Sequence, residues 1–294
     1  MTDEVSEKDK SKVSPSERAG VEPALQSLES SRQEYVQSWA VNAQNHASQD
    51  HYSWMAERVT GHRRTLEIGC GTGQSTLALL ASGHKVICVE ENPCCIRSTS
   101  EALEIQGYKV KVLFRATALA VTAIAYRLQY REISDAQEAD CLIIEGDALY
   151  DPGLMKWLMA QPKFDSVVCW LLGTHNARGG NVSIDKSLVK TPKDHRLLVQ
   201  NLVYELADDV LRPGGILNVI DRGAVPGSHE IQRDVIDGHL DQASVTSLQF
   251  RALEFTAHLE SNATGSMQMT RPVKSSLAAA SRSALISVTF YKPS

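Results

Sequence analysis

The sequence predicts an α/β protein with a doubly wound, mostly parallel, seven-stranded sheet and an antiparallel pair at its C-terminal edge. Three observations carry this. From Arg64 onward, short apolar runs alternate with helix-sized connectors. The runs are continuous rather than alternating, as in strands buried on both faces of a parallel sheet. The last two apolar segments instead alternate in period two and lack a crossover helix between them.

Taken in order, residues 1–30 hold seven acids and four bases with scattered Ser and Pro, and read as a disordered polar tail. Residues 31–61 form an N-terminal helical cap. Tyr35, Trp39, Ala43, His46, Tyr52, Met55 and Ala56 recur at helical spacings, Ser48-Gln49-Asp50 divides the stretch into two helices, and Gly61 stops it. Residues 62–294 form the main domain. Its parallel strands are TLEIGC (65–70), KVICVE (85–90), DCLIIEG (140–146), DSVVCWLL (165–172) and GILNVID (215–221). GQSTLALLASG supplies the first crossover helix, and a helix over 195–211 leads to the fifth strand. Residues 101–139 are an enlarged crossover, in which YKVKVLF can form a strand and the Ala-rich ATALAVTAIAYRL reads as a helix. The segments at 247–260 and 284–292 form the antiparallel edge pair, joined by a polar loop over 261–282.

Composition removes several function classes. Of 294 residues, 43% are hydrophobic, enough for a sizeable core without staples. Thirty Lys and Arg against 35 Asp and Glu leave a net charge of −5, so no basic field recruits nucleic acid. No apolar run approaches the ~20 residues of a membrane span, and the N-terminus lacks the apolar stretch of a secretory signal. The six cysteines fall mostly in strand-like runs and read as small buried hydrophobes. Cys94-Cys95 has no zinc spacing, and a cytoplasmic location follows.

The chemistry gathers at LEIGCGTGQS, where Gly69, Gly71 and Gly73 mark a strand turning into a helix. Glycine permits positive φ and close backbone approach, and a helix N-terminus offers free N–H groups to an anion. A dinucleotide fingerprint, G-x-G-x-x-G/A, fails in both registers because Gln74 and Thr76 stand where a small residue is required. What remains is E-x-G-x-G-x-G, and here the chain resembles the class I, Rossmann-like S-adenosylmethionine-dependent methyltransferases. Further matches follow in order over 64–221: Glu90 nineteen residues beyond Gly71, Glu145-Gly146-Asp147-Ala148 after the third strand, the fourth strand from Phe164 to Trp170, and Leu211-Arg212-Pro213-Gly214-Gly215 before the fifth.

The resemblance implies S-adenosyl-L-methionine as cofactor and S-adenosyl-L-homocysteine as product. Glu67, Gly69, Cys70, Gly71 and Gly73 would cradle the methionine part, Glu90 with Glu91 the ribose, and Asp147 with Ala148 the adenine. Trp170 and Leu171 would border the same site. Substrate should meet the loops after the fourth and fifth strands, where His175 is the candidate general base and Arg178 could bind an anionic substrate group. Gly179-Gly180 suggest a loop able to act as a lid. Tyr35, Trp39, Tyr52 and Trp54 would roof the pocket.

The loop after the fourth strand carries no [N/D]-P-P-[Y/F], no Pro-Cys and no metal-holding Asp. The expectation is therefore methylation of oxygen or nitrogen on a small molecule, with no metal, no nucleic acid and no membrane. Two alternatives stay open: a non-catalytic cofactor-binding regulatory subunit, and an enzyme acting on a protein side chain.

Overall fold

The computed structural model of the chain describes residues 22–133, 139–260 and 283–294. The cap consists of α1 (Glu22–Ser48) and α2 (His51–Glu57). The core follows as β1 (Arg64–Ile68), α3 (Gln74–Ala81), β2 (Lys85–Glu90), α4 (Pro93–Ile105), β3 (Val110–Leu113), β4 (Ala116–Thr122), β5 (Ala125–Tyr130) and β6 (Cys141–Glu145). It continues through α5 (Pro152–Ala160), β7 (Phe164–Trp170), a 3₁₀ turn (Asn176–Gly180), α6 (Pro192–Val210), β8 (Leu211–Ala224), α7 (His229–Ala243), β9 (Gln249–His258) and β10 (Ser283–Tyr291).

Eight strands form one sheet in the order β3-β6-β2-β1-β7-β8-β10-β9. The pairings from β3 to β8 are parallel, and β10 runs antiparallel to both β8 and β9. The doubly wound sheet and its reversed edge pair are thus as expected, with β3 added as an outer strand beside β6. From β1 the chain winds outward to β2 and β6, then returns to place β7 on the other side. The crevice at the carboxyl ends of β1, β2, β6 and β7 is the switch point where such sheets bind ligands. Leu66, Ile143, Val167 and Val168 are fully enclosed within the sheet. Among the described residues no helix is long and apolar enough to cross a membrane.

Local chemistry sets the helix starts. Thr191 and Asp194 form a reciprocal capping box at α6, and Pro192 occupies its first turn. Asn92 caps α4 and Asp151 caps α5, each followed by proline. The cap breaks where the spacing predicts, at Asp50, whose backbone is left-handed with φ 58°.

Two expectations are corrected. The polar tail does not extend to residue 30, because α1 begins at Glu22 and buries Ala24 and Leu28. Leu28 is held by Tyr126 and Leu128, contacts that no local pattern around it announces. The Ala-rich segment at 116–128 is a β4–β5 hairpin rather than a helix. Its alanines favour a helix intrinsically, but Tyr126 and Leu128 alternate with exposed Arg127 and Gln129 and bury one face against α1. Tertiary burial outweighs the small propensity difference. The expected loop over 261–282 lies outside the described residues.

Candidate functional site

A cleft opens at the switch point. The glycine turn forms one wall, and Gly69, Gly71 and Gly73 all have positive φ, at 83°, 54° and 89°. L side chains strain there, so these positions require glycine. Gly73 lies behind the wall, packed on Thr99, where an added Cβ would stand 3.0 Å from the Thr99 backbone. Glu67 is also behind it. Its carboxylate accepts hydrogen bonds from Ser75 Oγ at 2.5 Å and Thr76 Oγ1 at 2.6 Å, which ties β1 to the start of α3. Burial pushes Glu67 up to about 7 against those two hydrogen bonds.

Glu90, at the end of β2, accepts from Gly71 N at 3.2 Å and Asn92 N at 2.9 Å. Burial, with the neighbouring Glu91 charge, pushes it up to about 7. Glu91 is the electrostatic hub. It pairs with Arg32 of α1, accepts from His175 Nε2 at 3.0 Å and lies 3.3 Å from Arg178. Burial alone would raise its pKa, but Arg32, His175 and Arg178 outweigh burial and hold the carboxyl well below its usual range.

Asp147 and Ala148 follow β6 into the cleft. Asp147 Oδ2 accepts from Arg178 Nη2 at 2.5 Å and Oδ1 from Leu149 N at 2.9 Å. Asp151, not Asp147, caps the next helix. Arg178 is therefore engaged inside the protein, and its two acidic neighbours raise its pKa despite burial.

On the other side, β7 ends in Trp170, whose indole donates to Asn218 Oδ1 at 2.6 Å. Leu171 has φ 52°, a left-handed conformation rare for leucine, and the chain turns there into the cleft wall formed by Leu172, Gly173, Thr174 and His175. Gly179 and Gly180 lie in a 3₁₀ turn flanked by two hydrogen bonds, Ala177 N to Ser31 Oγ at 2.9 Å and Val182 N to Tyr126 O at 2.8 Å.

The cap forms the roof. Tyr35, Trp39 and Tyr52 all line the cleft, and Trp54 does not; it stacks under Arg58 at 4.9 Å instead. The structure thus brings together Gly69, Cys70, Gly71, Glu90, Glu91, Asp147, Ala148, Trp170, Leu171 and His175. Sequence reasoning missed Arg32 and His195. His195 stands in the first turn of α6, buried, and burial followed by the nearby Arg178 charge lowers it to about 3. A histidine in the first turn of a helix that follows a substrate-side loop is a signal that could have found it.

Several buried polar atoms around this cleft have no hydrogen-bond partner among the described residues: Thr174 Oγ1, His175 Nδ1, Arg178 Nε and both ring nitrogens of His195. Buried polar groups are normally satisfied, so the cleft is chemically suited to a polar ligand. The left-handed glycines and the Glu90 carboxylate have the chemistry to hold a nucleoside-bearing one.

No protein-family model matches the chain, and no curated protein matches it in sequence. Solved structures do match in architecture. The chain is similar to the N-methyltransferase NodS from Bradyrhizobium japonicum WM9, at 10% identity over 84% of this chain and 97% of that one, with a TM-score of 0.43. It is similar to TYW2 of M. jannaschii, solved in complex with AdoMet, at 12% identity over 83% and 75% of the two chains, with a TM-score of 0.44. A SAM-dependent methyltransferase from Methanosarcina mazei gives 12% identity over 79% and 93%, with a TM-score of 0.39. These likenesses concern architecture, and the chemistry of the cleft stands on its own residues. The sheet order with its reversed edge pair is a doubly wound, mostly parallel α/β fold.

Proposed function

We propose that this protein binds S-adenosyl-L-methionine in the cleft and transfers its methyl group to an oxygen or nitrogen of a small-molecule acceptor, with no metal in the reaction. The set of polar atoms on Thr174, His175, Arg178 and His195 that have no partner among the described residues, all lining the cleft beside the glycine turn, carries this reading. The Gly69–Gly71 backbone would hold the methionine part, Glu90 the ribose hydroxyls, and Asp147 with Ala148 the adenine. When bound, the cofactor supplies an activated methyl group on a sulfonium.

The chain's own contribution is positioning and proton handling. With Nε2–H donated to Glu91, His175 keeps its lone pair on Nδ1, the buried nitrogen that has no partner among the described residues. That nitrogen can take the proton an acceptor O–H or N–H loses. Glu91 fixes the tautomer, as an orienting carboxylate does for other catalytic histidines. Tyr35 and Trp39 exclude water from above. The segment Trp170–Leu171–Leu172–Gly173 offers no carboxylate to hold a cation, which supports a metal-free displacement. The net charge of −5 favours a small acceptor over nucleic acid.

Calorimetric titration with S-adenosylmethionine, S-adenosylhomocysteine and NADH tests the cofactor reading. Micromolar binding of the first two alone is expected, and binding of neither would overturn it. Arg178, the candidate for an anionic acceptor, is already held by Glu91 and Asp147, which favours one second reading, a regulatory protein that binds the cofactor without turnover. Methyl-acceptor screening with the loaded protein separates the two.

A further inference from the structure

Away from the cleft, two neighbouring histidines of the cap and one from the far end of the chain meet in one buried cluster. His46 closes α1, His51 opens α2 and His258 ends β9, and all three are at most 3% exposed. One ring nitrogen from each lies within 4.8 Å of the others. His46 Nδ1 and His51 Nδ1 are 3.2 Å apart, sharing one proton in a hydrogen bond without an ion, and this separation is close to the ~3.3 Å edge of a tetrahedron with Zn–N bonds near 2.05 Å. The ring centroids are separated by 4.7, 5.3 and 5.4 Å, and three imidazoles sharing one tetrahedral ion would place theirs at about 5.2 Å. We propose that His46, His51 and His258 bind one divalent transition-metal ion of the zinc type.

The surroundings suit that role. His51 Nε2 meets the Ala257 carbonyl at 3.1 Å. Donation there puts the proton on Nε2 and leaves the Nδ1 lone pair facing His46, the kind of outer hydrogen bond that orients metal-ligating histidines. Neither ring nitrogen of His258 has a hydrogen-bond partner among the described residues. The charges facing the cluster are Asp50, Glu260 and Arg222. Glu260 lies 3.8 Å from His258 Nε2 and pairs with Arg222 at 2.9 Å, which offsets the guanidinium charge. His46 also touches the rings of Trp39 and Tyr52, at 6.4 and 6.2 Å between centroids, so the ion would pin the cap to the sheet edge one ring behind the cleft roof. It does not depend on the cofactor reading, since no residue of the cluster lines the cleft.

The test uses the full-length protein stripped with a chelator and then titrated with Zn²⁺ against a chromophoric competitor, and separately with Co²⁺. Uptake of about one Zn²⁺ per chain with a dissociation constant of roughly 1 μM or tighter is expected, together with a rise in thermal midpoint of a few degrees. Co²⁺ should give the visible bands of a tetrahedral nitrogen site without a thiolate charge-transfer band. His51→Ala and His258→Gln should each weaken uptake at least tenfold, while H229Q on exposed α7 leaves it unchanged. Absence of stoichiometric uptake by the wild type overturns the proposal, as does a thiolate band. Uptake retained in both cluster variants does so as well. The wild-type cobalt spectrum decides even if a variant fails to fold.

Discussion

The indole of Trp39 rests directly on the backbone of Gly71: a Cβ built on that glycine would lie 2.2 Å from Nε1. Tyr35 does the same one turn earlier, with its hydroxyl 2.2 Å from a Cβ built on Gly173. The cap thus closes on a glycine in each of the two loops that frame the cleft. If Trp39 is a roof for bound nucleoside, W39A should weaken S-adenosylhomocysteine binding by up to about tenfold, from loss of an aromatic contact worth ~0.5–1.5 kcal/mol. Calorimetry reads it, and tighter binding by the variant would mean that the indole occupies the ligand's own place.

Glu90 offers a sharper test of the same pocket. E90A removes the acceptor for Gly71 N and Asn92 N as well as the proposed ribose contact. Cofactor affinity should fall by about 1–3 kcal/mol, the scale of a hydrogen bond to a charged group. Unchanged affinity would remove Glu90 from the site.

For His175, the expected result is a split between binding and turnover. Once an acceptor is found, H175A should lower kcat by roughly 10²–10⁴ while cofactor affinity stays the same. E91Q should cost activity and, in addition, stability of about 3–5 kcal/mol, because Arg32 and Arg178 lose a buried counter-charge. A fully active H175A protein would leave the histidine as a structural partner of Glu91.

Glu67 makes a prediction about pH. Its ordinary value is 4.5 and burial raises it to about 7 in the folded chain. Between these values the folded state holds a proton that the unfolded chain has lost, so the group's contribution to stability falls as pH rises through that window. E67Q removes the effect. The stability of the variant relative to wild type should improve by on the order of 1–3 kcal/mol from pH 4.5 to pH 8, measured by urea unfolding in the absence of ligand. A difference that does not vary with pH would show that Glu67 is not buried as an acid.

Much of the cleft was legible because its residues are local in sequence. The glycine turn, Glu90, Asp147 and Trp170 each stand at the end of a strand, and strand ends converge at one crevice in a doubly wound sheet. Arg32 was not legible, since its meaning comes from Glu91, 59 residues away. The hairpin at β4–β5 was misread because alanine's helical preference is local, whereas its partners Leu25 and Leu28 lie on α1. His46 and His51 stand at an H-x4-H spacing, common for zinc ligands but too short to mark a site by itself, and the third histidine, His258, joins them only in the folded chain.

By itself the sequence determined the parallel sheet, the edge pair and the glycine turn, because continuous apolar runs, period-two alternation and positive-φ glycines are properties of short segments. Only the tertiary structure decided which charges neutralise one another, which histidine nitrogens are left without partners and how the cap seats on Gly71 and Gly173. Those outcomes depend on burial and distance between residues far apart in the chain, and no local pattern encodes them.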